Sequence, residues 1–238
     1  LPLSKLASMG QSEDSDTILK DKTQIKFLEN TGNMPEMATI QLQKETKGFG
    51  EIIDTMAISF KEIINSTDFK KQQKLIKKIK QYEQLTDQLE VEITEYITLL
   101  SKEEMTSQTS LVLRSILNIC NDLEKIADIY LQLSVILQKK IEDNIYFIPE
   151  QRKKINDLAT LVENAIKIMN ENLSVTDYRS VKKYSAVKSE KLINQFRDSM
   201  RQEHLDRMGQ TDYNIKSAMV YNNIFLSLER IGDHVVNV

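Results

Sequence analysis

The chain has 238 residues, among them 6 Gly, 3 Pro, 1 Cys and no Trp. Average usage of roughly 7 % Gly and 5 % Pro would place about 28 such residues in this length. Sandwiches, barrels and doubly wound sheets need a turn every dozen residues or so, and the shortage of turn formers excludes them in favour of long helices. Net charge is −3, from 32 basic and 35 acidic side chains, so the basic excess of a nucleic-acid binder is missing.

A hydrophobic fraction of 40 % is enough for a core. The single cysteine, Cys120, excludes an intramolecular disulfide and a cysteine zinc site, and fits a reducing compartment. No apolar run reaches the roughly 18 residues needed to cross a bilayer. The most apolar stretch, Ile126 to Leu137, is cut by Asp128. The chain begins Leu1-Pro2-Leu3 without Met and stops at Val238 in a helical pattern, so it reads as a piece of something longer.

Residues 1–35 are rich in Ser, Asp, Lys and Asn, carry Gly10, Gly32 and Pro35, and show no helical period, which predicts a linker or draped arm. From there Phe49, Ile52, Ile53, Met56, Phe60, Ile63 and Ile64 recur at three and four, predicting an amphipathic helix over 36–65. Gly48 and Gly50 inside it mark close packing or a kink. A second helix is expected from about Asp68 to Leu100, with Leu75, Ile79, Tyr82, Leu89, Ile93 and Ile97 inward. A third is expected from Thr109 to Phe147, before Pro149 breaks the chain.

The second half repeats the plan. Helix four, about 150–172, carries Ile155, Leu158, Val162, Ile166 and Met169. Helix five, about 176–206, carries Tyr184, Val187, Phe196 and Met200, and helix six, about 212–238, carries Ile215, Ala218, Phe225 and Leu228. Gly209 falls between these last two. The expected fold is all-α, two tandem three-helix bundles of long antiparallel helices over 36–148 and 149–238.

Residue by residue, Asn118 to Asp128 (NICNDLEKIAD) aligns with Asn223 to Asp233 (NIFLSLERIGD) at an offset of 105. Lys125 stands against Arg230 and Ala127 against Gly232. Helices two and five echo this more weakly, Glu83-x-x-x-Asp87 against Glu190-x-x-x-Asn194 at an offset of 107.

The repeated carboxylates carry the chemical signal. On helix three the predicted inward stripe is Leu113, Leu117, Cys120, Glu124, Ala127, Leu131 and Val135, with Asp128 one turn beyond Glu124. Helix six repeats it with Ala218, Asn222, Phe225, Glu229, Gly232 and Val236, and Asp233 beside Glu229. At about 100° per residue Glu83 falls within the apolar arc of Ile76, Ile79 and Ile93 on helix two, with Asp87 just beyond it. An unpaired buried carboxylate is costly, so such residues need a partner or a raised pKa. Four carboxylates from adjacent helices suit a hard cation with oxygen ligands. The competing reading of any one Glu-x-x-x-Asp is a solvated face or a salt bridge; duplication at matched positions favours metal. Lys125 and Arg230 follow the glutamates directly, but consecutive helical residues point about 100° apart and do not neutralise them. His234 is a candidate extra ligand.

The phrase Leu228-Glu229-Arg230-Ile231-Gly232-Asp233-His234-Val235-Val236-Asn237 resembles the signature of PhoU domains, and Asn121-Asp122-Leu123-Glu124-Lys125-Ile126-Ala127-Asp128 resembles its copy. The resemblance covers about 36–238. It implies two three-helix repeats and metal clusters at Glu83, Asp87, Glu124 and Asp128, and at Glu190, Glu229 and Asp233. The ions implied are divalent or ferric, with iron, manganese and magnesium as candidates. Asn194 departs from the expected Asp, so the second site should hold fewer ions or none.

A second resemblance concerns context. Phe27-Leu28-Glu29-Asn30, Met34-Pro35-Glu36-Met37-Ala38 and Gln43-Lys44-Glu45-Thr46 are similar to the segment joining the membrane part of bacterial Na/phosphate cotransporters to their C-terminal PhoU-like domain. Leu1-Pro2-Leu3-Ser4-Lys5-Leu6 would then end a membrane-proximal stretch. This implies a regulatory domain of such a cotransporter, on the cytoplasmic side of the bacterial inner membrane, with the transporter membrane domain as partner in cis. The alternative is a stand-alone PhoU-type regulator acting in trans on a transporter and a sensor kinase. A homodimer stays open.

The cluster Lys70, Lys71, Lys74, Lys77 and Lys78 reads either as a solvated face or as a surface attracted to anionic headgroups or an acidic partner. There is no Gly-rich phosphate loop, and no Glu has a His three residues on, as bundle oxidases favour. The sequence therefore offers no catalytic residues, and a non-enzymatic role is expected, with a di-metal bundle enzyme as the less favoured alternative.

Overall fold

The computed structural model describes residues 35–175, 178–207 and 214–238. The predicted arm before Pro35 and Gly209 lie outside these residues. Six α-helices follow one another: α1 (Pro35–Asn65), α2 (Phe69–Leu100), α3 (Ser107–Glu142), α4 (Pro149–Leu173), α5 (Lys183–Arg207) and α6 (Ile215–Asn237). No strand occurs among the described residues, so the all-α expectation holds.

Local chemistry sets the helix ends. Asp68 caps α2 by accepting from the backbone N–H of Lys70 at 2.8 Å and of Lys71 at 3.3 Å. Its negative charge also answers the macrodipole that the lysine run opposes. Thr106 caps α3 through the N–H of Thr109 at 3.1 Å, and Asn214 caps α6 through that of Ser217 at 3.1 Å. Pro149 opens α4, where its missing N–H costs nothing.

Two ends differ from expectation. Helix α3 stops at Glu142, five residues before Phe147, because Asn144 adopts a left-handed φ of 52° that asparagine tolerates. The apolar residues after it leave the helix, and Phe147 packs its ring edge-on against Tyr221 at 6.3 Å. Helix α5 begins at Lys183, after a short 3₁₀ turn at Tyr178–Ser180.

Helices α1, α2 and α3 pack on one another, as do α4, α5 and α6; α1 also packs on α4, and α3 on α6. The outer helices α2 and α5 pack chiefly within their own triplets. Burial repeats between the halves. Phe49, Ile52, Met56, Phe60 and Ile63 of α1 match Ile155, Leu158, Val162, Ile166 and Met169 of α4 at an offset of 106, and all are buried. At an offset of 107, buried Thr86, Ile93 and Ile97 of α2 match Ile193, Met200 and His204 of α5. At 105, Leu113, Ile116, Cys120, Leu123 and Tyr130 of α3 match Ala218, Tyr221, Phe225, Leu228 and Val235 of α6.

The same fit is reached with different volumes. A Cβ on Gly232 would stand 3.0 Å from Ile193 Cδ1 and 3.2 Å from its Cγ2. The corresponding pair in the first half is Ala127 with the smaller Thr86, so bulk lost on one helix is regained on its neighbour.

The halves join along two seams. Where α1 crosses α4, Gly50 has no room for a side chain: a Cβ there would lie 2.2 Å from Asn170 Oδ1 and 2.8 Å from Leu173 Cδ1. Asn170 instead donates to the Gly50 carbonyl at 3.1 Å. Of the two roles expected for this glycine, close packing is the one observed. Asn65 and Asn156 exchange two amide hydrogen bonds of 2.8 Å, and Lys61 meets Glu163 at 2.9 Å. Where α3 meets α6, His234 Nδ1 lies 2.8 Å from Asp122 Oδ1.

Some inward assignments are corrected. Val135, Tyr184, Val187 and Ile215 are exposed, by 49, 81, 55 and 73 %. Helix α3 touches three neighbours, so its buried face is wide and centres on Ile116, Cys120, Leu123, Ala127 and Tyr130. Glu124 therefore borders the stripe instead of lying in its middle. Helix α5 is an outer helix, and its buried face narrows to Ile193, Met200 and His204.

Candidate metal centre

In the first triplet, α2 and α3 lie side by side and bring their carboxylates together. Glu83 and Asp87 from α2 and Asp128 from α3 each offer an oxygen within 4.8 Å of the other two. Glu83 and Asp128 are half-buried and Asp87 is exposed. Glu124, one turn from Asp128, is half-buried and adds its charge to the group.

The electrostatics are uniformly acidic. Burial raises the Glu83 pKa, and Asp87 and Asp128 raise it further. Partial desolvation raises Asp87, followed by the charges of Asp128 and Glu90. Glu124 is raised by burial and then by Asp128, Asp87 and Glu90, with Lys125 opposing weakly. Carboxylate oxygens at such mutual distances repel as anions, and a hard cation that accepts several of them removes the repulsion. The donor set fits Mg²⁺, Mn²⁺ or an iron ion.

The second triplet is built alike but charged differently. Glu229 and Asp233 stand on α6, and Glu190 and Asn194 on α5, all half-buried. Asn194 Nδ2 donates to Glu190 Oε1 at 3.3 Å. Glu229 does not face open space: Arg197 Nη1 donates to its Oε1 at 2.7 Å. The Arg197 side chain is 19 % exposed, the Glu229 side chain 15 %. Burial and Asp233 still raise the Glu229 pKa, while Arg197 pulls it down. Among the described residues only Glu83, Asp87 and Asp128 meet as a potential metal-holding group.

Two residues of these sites, Glu90 and Arg197, lie outside the motifs that the sequence singles out. Arg230 is the cation nearest Glu229 along the chain, yet the cation that meets Glu229 comes from α5. The offset of 107 that pairs Glu83 with Glu190 also pairs Glu90 with Arg197, and repeat alignment carried three residues further finds both. His234, the candidate extra ligand, is engaged with Asp122 across the seam. Cys120 is buried beside Thr46 Oγ1 at 3.8 Å, and burial pushes its thiol up to about 12, which leaves it a packing residue. Of the lysine cluster, Lys70, Lys71, Lys74 and Lys77 are exposed; Lys71 meets Glu62 at 3.1 Å, and Lys78 lies 5.6 Å from the Tyr82 ring centre.

A duplicated helical bundle with a carboxylate group between two helices of its first half is the class these features define. Residues 49–136 match the family model described as PhoU domain. That stretch runs from Phe49 in α1 through α2 to Ile136 in α3, covers less than half of the chain, and contains Glu83, Asp87, Glu124 and Asp128. Within the first triplet, these residues are thus similar to a PhoU domain, a description associated broadly with the regulation of phosphate uptake. The likeness of the second triplet rests on the internal repeat. No curated protein and no solved structure matches the chain. No helix among the described residues is long and apolar enough to cross a membrane.

Proposed function

We propose that the chain is a metal-braced PhoU-like regulatory domain that acts on phosphate uptake from the cytoplasmic side of the bacterial inner membrane, as the C-terminal domain of a Na/phosphate cotransporter. The observation that carries this reading is the meeting of Glu83, Asp87 and Asp128 inside the stretch that matches the PhoU domain. A divalent or ferric ion held by these three, with Glu124 and Glu90 adding negative charge, ties α2 to α3 and stiffens the outer face of the first triplet. That face is what the transporter membrane domain would contact. The exposed lysines at the start of α2 favour a surface rich in anionic headgroups beside it.

The test is metal dependence. Purified chain is stripped with chelator and melted with and without Mn²⁺. At a metal concentration of about 100 times Kd the wild type should gain roughly 2.7 kcal/mol, and the variant E83Q/D87N should gain nothing. In cells carrying the full-length gene, the same variant should relax the control of phosphate uptake. Equal stabilisation of variant and wild type by Mn²⁺ would sink the site, and unchanged uptake control in a metal-free variant would sink the role.

A further inference from the structure

The two triplets share a backbone plan, and at matched positions they carry different electrostatics. At offsets of 107 and 105 the first triplet's Glu83, Asp87, Glu90, Glu124 and Asp128 become Glu190, Asn194, Arg197, Glu229 and Asp233. Five carboxylates become three carboxylates, a neutral amide and a guanidinium. We propose that Arg197 is the resident cation of the second triplet, occupying with its guanidinium the role that a metal ion takes in the first, so that this domain binds metal on one side only.

The geometry supports this in three ways. Arg197 reaches from α5 across to α6 and meets Glu229 at 2.7 Å, the same interhelical span that Glu83 and Asp87 share with Asp128. Its Nε lies 2.9 Å from Asp198 Oδ1 without hydrogen-bonding to it, a charge contact with a mostly exposed carboxylate, so Glu229 is its hydrogen-bonded partner. Asn194 brings a neutral amide where the first triplet has the carboxylate of Asp87, so one negative charge that a cation would need is missing. A guanidinium never deprotonates and its planar fork binds carboxylates firmly. A metal approaching Glu229 must displace that bond and bear the repulsion of a neighbouring positive charge. The residues of the second triplet therefore do not fit the cluster that the family resemblance implies for Glu190, Glu229 and Asp233. The consequence is a division of labour: α5 and α6 are clamped permanently, whereas α2 and α3 are clamped only when metal is present, so metal supply alters one face of the domain alone.

The inference rests on the metal reading of the first triplet for its contrast, and the experiment separates the two. Mn²⁺ alone is titrated by equilibrium dialysis into wild type, E83Q/D87N, R197E/N194D and E90R/D87N, with helical circular dichroism recorded for each. E83Q/D87N should lose all saturable Mn²⁺ binding. R197E/N194D, which writes the first triplet's charges into the second, should gain a second saturable class and double the capacity. E90R/D87N, the reverse transplant, should bind none. If R197E/N194D folds poorly, R197Q replaces it and should admit Mn²⁺ more weakly. Residual saturable binding in E83Q/D87N, no gain in a folded Arg197 variant, or full binding in E90R/D87N would each overturn the inference. A wild type that binds no Mn²⁺, beside an R197E/N194D that does, would support the role of Arg197 and reject the metal reading of the first triplet.

Discussion

Where both triplets bury a matched position they bury it to nearly the same degree, yet they fill it with different side chains and surround it with different charge. Cys120 and Phe225 occupy the same place, exposed by 1 and 0 %. So do Ile97 and His204, at 4 and 7 %. Packing geometry survives such exchange because helix direction and the depth of each Cα are set by many contacts at once, while any one volume can be balanced by a neighbour. Charge has no such buffer. Two exchanges, Asp87 against Asn194 and Glu90 against Arg197, turn a site that repels itself into one that is internally paired.

The largest difference should appear in the cores. Phe225 is fully buried and its ring lies 5.3 Å from Tyr221 and 6.1 Å from His204, so Phe225→Ala should cost about 3–5 kcal/mol. Cys120→Ala at the matched position removes one sulfur from a buried site and should cost about 1 kcal/mol, near the value of a methylene. Urea unfolding of both variants checks this. Equal losses would mean that the two cores do not correspond in packing.

Next in size come the matched charges. Arg197→Gln leaves Glu229, whose side chain is 15 % exposed, without its guanidinium, and should cost about 1.5–3 kcal/mol, the range for a hydrogen bond to a charged group. Glu90→Gln in metal-free protein removes one of five like charges and should stabilise by about 0.5 kcal/mol. The signs are opposite at equivalent positions. A stabilising Arg197→Gln, or a destabilising Glu90→Gln in the presence of chelator, would break the contrast.

How far the sequence leads depends on what each feature needs. Helices α1 and α4 are readable because each presents a long apolar stripe at three and four residue steps, and every apolar residue named for α4 is buried. The turn after α3 is hidden because Ile145, Tyr146, Phe147 and Ile148 continue an apolar pattern past Asn144, whose left-handed φ no periodicity reports. The face of α5 is not legible because its buried stripe holds only Ile193, Met200 and His204, and Tyr184 and Val187 carry no sign of their exposure. The acidic residues can be found by repeat alignment. Their partners cannot be found along one helix, since Glu229 is neutralised from α5 and that pairing depends on the rotation of two helices about their axes.

The smallest expected effect is a pH dependence confined to one half. Burial lowers the pKa of His204, between the Tyr221 and Phe225 rings, below its ordinary 6.5, whereas Ile97 at the matched position cannot titrate. A histidine depressed in the folded state binds its proton more readily in the unfolded chain. Its contribution to stability is therefore complete above pH 6.5 and is lost as pH falls from there through the folded value. His204→Ile writes the first triplet's residue into the second and should remove this part of the profile. Between about pH 7.5 and 5.5 the wild type should lose at most about 1.4 kcal/mol more than the variant, the value of a tenfold change in proton affinity. The carboxylates of the first triplet act in the opposite direction. Glu83, Asp87 and Glu124 are raised in the folded state, so metal-free protein regains stability as pH falls through their raised values toward ordinary carboxylate values. The carboxylate part is common to wild type and His204→Ile, whereas the histidine part belongs to wild type alone. Melting curves of wild type and His204→Ile with chelator, taken at closely spaced pH values, resolve them; parallel profiles for the two proteins would show that the histidine binds its proton equally well in the folded and unfolded chain.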